Sequence, residues 1–347
     1  MAFDKFKEAY RESFHKYREK FWDKKRARVR LHTSFRRSYR EDYERDLEVP
    51  GLLSHALKSF KLIFQNWKLF GGLLLIITVL TVVLVGIMSE DTYLEAQRAV
   101  DTAVEEWKVG EVGNYAKSGI LLLSTITSAG LSSDMSDAQQ IFLVLGILII
   151  WLTTIYLVRH LLNGEKPKLR DGLFNSLSPL LSTLLVFIVA FLQIIPIFIV
   201  VITYSAAVAT DFLATPFYAL VYFIFAALMI LLSLYWLSST VIALIAVSAP
   251  GLYPVRALQT ASDLMAGRRV RFTLRLIYLL FVIIFIYIII MMPIILLDLW
   301  LKSQIEFLGG APIVPLFMLA TTCFAAIYST VYLYTFYRRI LAYDYQK

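Results

Sequence analysis

The sequence predicts an all-α polytopic membrane protein with six spanning helices, and three observations carry that expectation. The 347 residues are 59% hydrophobic and only 17% charged, with a mean hydropathy of +0.67. Soluble domains are about 45–50% apolar and about 25% charged, so an ordinary soluble enzyme and a disordered chain are both excluded. Six stretches are long and apolar enough to cross a bilayer, which takes roughly 20 residues per helix. The basic residues are distributed so that alternate connections are strongly positive, as membrane topology requires.

The six spans read as 69–88, 141–158, 177–206, 216–248, 273–300 and 313–335. Together with their connections they form a membrane domain of 69–337, followed by a short tail of 338–347. No strand-like alternation appears, and lipid offers backbone groups no hydrogen bonds, so the spans are helices. Their only charges are Arg275 and Asp298, at the two ends of the fifth. The fourth has no Pro, Gly or charge after Pro216 and reads as one long tilted helix. Pro196 and Pro293 are candidate kinks in the third and fifth, because a helical proline removes one backbone bond and clashes with the preceding turn.

With the N-terminus placed in the cytoplasm, the inner regions hold 30 of the 34 Lys and Arg residues and 14 of the 26 acids. The inside then carries +16 and the outside −8. Both termini are therefore expected inside.

The arm, 1–49, places Phe3, Phe6, Tyr10, Phe14, Tyr17 and Phe21 three or four residues apart, which is one aromatic helical face. Between Lys24 and Arg40 it has eight basic residues and no acid. Lys24, Lys25, Arg26, Arg28, Arg30, Arg36 and Arg37 are the strongest candidate contacts for anionic lipid or a protein partner. Arg268, Arg269 and Arg271, before the fifth span, form a second cluster. Surface charges of this kind are worth about 1 kcal/mol each against an anionic leaflet. Basic residues interleaved with aromatics also suit RNA, ribosomal RNA included. The continuous aromatic face favours protein or lipid instead, because it calls for burial.

The segment 50–68 reads as an interfacial amphipathic helix with a stripe through Leu52, Leu53, Ala56, Leu57, Phe60, Ile63 and Phe64. The outer loop, 89–140, is acidic, and its apolar stretch 119–131 is too short to span and reads as re-entrant or surface-packed. The third and fifth spans each follow a basic stretch and carry a proline at a similar depth, which suggests a parallel repeat of hairpins.

Chemistry-bearing motifs are few. His15, His32, His55 and His160 read as four surface histidines with no metal-ligand spacing. The lone Cys323 excludes an internal disulfide. No Gly-x-Ser-x-Gly elbow or Gly-rich phosphate loop occurs. The expectation is therefore a protein with no catalytic residue, no cofactor and no metal. The small polar residues within the spans suit helix packing better than substrate binding.

Asn163-Gly-Glu-Lys-Pro-Lys-Leu-Arg170 is a hydrophilic turn before a long span, and Pro254-Val-Arg-Ala-Leu-Gln-Thr-Ala-Ser-Asp-Leu-Met-Ala-Gly-Arg268 has the same role before the next inward hairpin. This pattern resembles the six-helix bacterial membrane families that include YciC-like proteins. It is also similar to the membrane domain attached to some glycerophosphoryl diester phosphodiesterases, whose catalytic domain is absent here. The resemblance covers roughly residues 50–340 and implies a bacterial inner membrane; the aromatic and basic arm departs from it.

The leading functional expectation is a non-enzymatic assembly or scaffold component whose arm docks a protein or the anionic leaflet. Passage of a lipid or amphipathic solute through the six-helix body is the alternative, and a homo-oligomer is left open.

Overall fold

The computed structural model describes residues 51–86, 98, 131, 135–249, 251–304 and 312–345. The chain divides into two units, Met1–Glu48 and Val49–Lys347, and every helix below belongs to the second. The arm of 1–49, with its basic cluster from Lys24 to Arg37, and the re-entrant segment expected at 119–131 lie outside the described residues, apart from Leu131.

Among the described residues the regular structure is entirely helical. It comprises α1 (Leu52–Gln65), α2 (Trp67–Leu84), α3 (Asp137–Leu162), α4 (Leu169–Asn175), α5 (Leu180–Ala209), a 3₁₀ turn (Phe212–Ala214), α6 (Pro216–Ala246), α7 (Pro254–Met265), α8 (Arg269–Gln304) and α9 (Ile313–Tyr345). Six of these, α2, α3, α5, α6, α8 and α9, are long and apolar enough to cross a membrane. The chain is therefore a multi-pass membrane protein by the length and composition of its helices. The fourth span is a single helix, α6, beginning with proline in its first turn, where the missing N–H costs nothing.

Three of the spanning helices, α3, α8 and α9, outlast the apolar stretches that mark them. The second span extends to Asp137 and Leu162 because Ser136 and Gln139 form a reciprocal capping box at its start, and Arg159 and His160 occupy its last turn. The sixth continues ten residues beyond Thr335 to Tyr345, and the fifth opens at Arg269. The first is shorter than expected, ending at Leu84 before Gly86 takes a φ of 95°.

The order of elements is three times a short helix followed by two long ones: α1–α2–α3, α4–α5–α6 and α7–α8–α9. A proline precedes or opens each short helix: Pro50, Pro167 and Pro254. Each short helix is also held by small buried residues: Ala56 and Ser59 in α1, Gly172 in α4 with Ser176 just after it, and Ala257 and Ala261 in α7. Small residues let backbones approach, which is how helices associate where lipid is as apolar as leucine. The hairpin repeat expected from α5 and α8 thus has a third member at the level of element order.

The short helices gather at one end of the bundle. There α1 meets α9 from its middle to Phe336, α4 lies against the start of α2 and the second half of α3, and α7 packs on α6. A Cβ on Gly172 would stand 2.7 Å from Leu157 Cδ2, and one on Gly72 would stand 3.0 Å from Leu169 Cδ2. The central helix is α9: 56% of its spanning window is buried, against 17% for α2, α5, α6 and α8. It touches α1, α2, α3, α6 and α8. The outward sides of α5, α6 and α8 are lined with exposed Leu, Ile and Phe, as lipid-facing helices require.

Candidate functional site

The end where the short helices gather concentrates the buried polar groups. His55 of α1 is only 1% exposed. Its Nε2 lies 3.1 Å from the Tyr332 carbonyl of α9. Its ring stands edge-on to Tyr332 with centroids 4.4 Å apart, and to Phe336 at 6.0 Å. Ser59, one turn further along α1, donates from Oγ to the His55 carbonyl at 3.1 Å and lies 3.4 Å from Thr335 Oγ1. Tyr328 donates from Oη to the Ala56 carbonyl at 3.4 Å and its ring lies tilted against Phe60 with centroids 4.3 Å apart. The α1–α9 contact is therefore polar and aromatic.

The fifth span adds the cation that its sequence placed at this end. Arg275 is buried, with its guanidinium 4.9 Å above the Phe336 ring. Phe272 stacks on the other side of the contact, 5.3 Å from Phe336. Burial lowers the pKa of His55 to about 4, the Tyr332 carbonyl opposes that shift, and the cations Arg339, Arg275 and Lys58 add to it. His55 is therefore neutral at physiological pH, and among the described residues no carboxylate figures in the groups that move it.

This corrects one reading: His55 is not a surface histidine. The apolar stripe of α1 divides between two sides of the helix. Leu53, Leu57 and Phe64 are exposed, while His55, Ala56, Ser59 and Ile63 are inside. The physical reason is that lipid accepts leucine as readily as a protein core does, so small and hydrogen-bonding residues decide which face is packed. The available signal was the spacing of His55, Ala56, Ser59 and Ile63 along one helical face.

Of the second basic cluster, Arg268 is buried, whereas Arg271 is exposed. Arg269 lies with its guanidinium 4.2 Å above the Tyr235 ring and donates to Ser262 Oγ at 3.1 Å. The three arginines therefore do not share one surface. On α3, Arg159 donates to the Ser248 carbonyl just beyond α6 at 3.0 Å, and Trp151 Nε1 donates to the Leu244 carbonyl at 3.2 Å. His160 pairs with Glu165 across the following turn.

Pro196 and Pro293 both sit inside uninterrupted helices. Beside Pro196, Gln193 is engaged twice by α6. Ser233 donates to its backbone carbonyl, and Thr240 Oγ1 donates to its Oε1 at 2.7 Å. Ser233 and Thr240 are fully buried. Close to Pro293 in the chain, Met291 clusters with Val314, Met318, Tyr287, Ile294 and Ile295, and Thr321 donates to the Met291 sulfur at 3.8 Å. The two prolines are matched in position and differ in surroundings.

Asp298, the other charge of α8, is also buried. It stands roughly 35 Å along the helix from Arg275, slightly more than the hydrocarbon thickness of about 30 Å. Among the described residues no group of three His, Cys, Asp or Glu side chains is placed to hold a metal ion. No family model, curated protein or solved structure matches the chain.

Proposed function

We propose that the protein is a non-enzymatic scaffold of the bacterial inner membrane, with both termini in the cytoplasm. Its six-helix body fixes a basic, aromatic arm at the membrane surface, where the arm docks a protein partner or anionic lipid. The observation that carries this reading is the two-sided character of α1. One side is tied to α9 through His55, Ser59 and Ala56, while the other leaves Leu53, Leu57 and Phe64 exposed beside Lys58 and Lys61. That outer side suits a headgroup interface: leucine and phenylalanine enter the acyl boundary and the lysines reach anionic phosphates. The arm joins directly onto this helix in sequence. Positive-inside charge supports the sidedness.

Passage of a lipid or solute along α5 and α8 is the second reading. It has less support, because Gln193, the polar residue nearest a candidate kink, spends its carbonyl and its side-chain oxygen on α6.

The test is extraction of the full chain, and of a chain lacking 1–49, into native lipid discs, with mass spectrometry of what co-purifies. A stoichiometric protein lost with the arm supports the scaffold. The same protein retained without the arm, or no protein and no anionic lipid dependent on it, overturns the arm's role. A flux changed by Pro196→Ala or Pro293→Ala would favour the second reading.

A further inference from the structure

We infer that α1 is a latch: it leaves and regains its seat on α9 about a pivot at Asn66, while the rest of a closed ring of three repeats stays assembled. The latch operates whatever the arm binds.

The ring follows from the order in which the helices meet. Each short helix lies across the hairpin of the repeat before it: α4 on α2 and α3, α7 on α5 and α6, and α1 on α8 and α9. Each first long helix also meets the second long helix of the preceding repeat: α5 meets α3, α8 meets α6 and α2 meets α9. The second long helices join one another on the inside. There α9 touches α3 and α6, and Trp151 of α3 donates to the Leu244 carbonyl of α6 at 3.2 Å. The pattern is cyclic, so the first repeat stands to the third as the second stands to the first.

A linear chain cannot make all three joints alike. The helix α4 is tied at both ends, through 163–168 to α3 and through 176–179 to α5. The helix α7 is tied likewise, through 247–253 to α6 and through 266–268 to α8. Within the membrane body α1 is tied at one end, through Asn66 to α2, and no loop joins it to the hairpin on which it rests. Short tethers keep an element docked by raising its effective concentration at the seat. One of the two tethers that hold α4 and α7 is missing for α1.

The seats differ in the same direction. Gly172 of α4 lies so close to α3 that a Cβ would stand 2.7 Å from Leu157 Cδ2, and α7 buries Ala257, Ala261 and Met265 completely. Toward its free end α1 is held through polar atoms. His55 Nε2 meets the Tyr332 carbonyl at 3.1 Å, Tyr328 Oη donates to the Ala56 carbonyl at 3.4 Å, and Ser59 Oγ lies 3.4 Å from Thr335 Oγ1. Water replaces such bonds at small net cost, because folding only exchanges one hydrogen-bond partner for another. A lifted α1 is also not lost to solvent. Leu53, Leu57 and Phe64, exposed on its other side, suit the headgroup boundary of a leaflet. Asn66 supplies the pivot. Its φ of −114° and ψ of 37° interrupt the helix between α1 and α2, and its Nδ2 donates to the Leu62 carbonyl at 3.0 Å.

The test is amide hydrogen exchange, read by mass spectrometry on the full chain in lipid nanodiscs. Corrected for intrinsic rates, the hydrogen-bonded amides of α1 should exchange about tenfold faster than those of α4 and α7. In a Cys323→Ala background, Ser59→Cys with Thr335→Cys places a disulfide across the seat. Oxidised, it should slow α1 to the rate of α4, and reduction should restore the faster rate. Ala56→Leu puts a larger side chain where Ala56 is buried against α9, and should speed α1 by about tenfold more while leaving α4 and α7 unchanged.

Equal protection of the three short helices overturns the latch. An oxidised disulfide that leaves α1 exchange unchanged also overturns it, because the opening is then not departure from α9. So does an Ala56→Leu chain in which all three helices speed up together, since the ring would then open as one unit. If the disulfide does not form, Ala56→Leu and the comparison of the three helices carry the test.

Discussion

His55 and Tyr332 are joined twice: by the Nε2–carbonyl contact of 3.1 Å and by edge-on rings 4.4 Å apart. The carbonyl belongs to the central helix of the bundle, so this pair fixes α1 to α9. It also makes the bundle sensitive to acid. The unfolded His55 titrates near 6.5 and the folded one near 4. Between those values the unfolded chain binds the extra proton, so stability rises with pH and falls on acidification. The loss between pH 7 and pH 4 is about 3 kcal/mol at most. Thermal melts of the detergent-solubilised protein should show this slope, and His55→Gln should flatten it. An equal slope in both proteins would remove His55 as its source.

Gly172 is placed where α4 presses on α3. A methyl group there meets Leu157, which is fully buried and has no room to turn. Gly172→Ala should therefore destabilise the protein by roughly 1–3 kcal/mol, the usual cost of overpacking. Gly71, in α2, faces open space, and Gly71→Ala should be neutral or stabilising by up to about 1 kcal/mol through helix propensity. Chemical denaturation of the two variants gives the contrast directly, and equal effects would mean that α4 is not held where the structure has it.

How far the sequence carried the fold is visible in particular helices. Number and placement of the spans were legible because apolar length is a direct consequence of bilayer thickness. The single helix α6 followed from the absence of any turn residue after Pro216. The packing side of α1 was not legible from hydrophobicity, since leucine gains nothing by leaving lipid for a protein contact. Arg275 and Asp298 were recognisable as the charges that bracket the fifth span. That Arg275 meets Phe336 was not, because that residue is some 60 positions away and on another helix. The basic cluster of 268–271 looked uniform in sequence. Its members diverge because successive residues on a helix start point in different directions, sending Arg268 inward and Arg271 outward.

The link between Ser233 and Gln193 spans the α5–α6 hairpin. Proline at 196 opens the preceding turn of α5, and Ser233 supplies a donor to a carbonyl of that turn. Ser233→Ala should cost about 0.6–1.7 kcal/mol, the range measured for hydrogen bonds between membrane helices. In a Pro196→Ala background the N–H of residue 196 can bond the Leu192 carbonyl and close the turn that holds the Gln193 carbonyl, so the same substitution should cost less. A double-mutant cycle read by unfolding in mixed micelles measures this coupling, and strict additivity would separate the serine from the proline.

Arg159 joins the ends of two hairpins, donating from the last turn of α3 to the Ser248 carbonyl beyond α6. A buried helix terminus needs such donors, because its last carbonyls have no partner within the helix. Arg159→Gln should loosen this junction, at a cost of about 1.5–3 kcal/mol for a bond to a charged donor. The effect should be local. With Cys323 replaced by Ala, a cysteine introduced at Tyr253, which is exposed, reports on the loop between α6 and α7. A membrane-impermeant maleimide should label it in inside-out vesicles and spare it in right-side-out ones if that loop is cytoplasmic. Labelling should proceed faster when Arg159→Gln is also present. Labelling only from the outer side would reverse the orientation of the whole bundle, and an unchanged rate would show that Arg159 does not hold the junction closed.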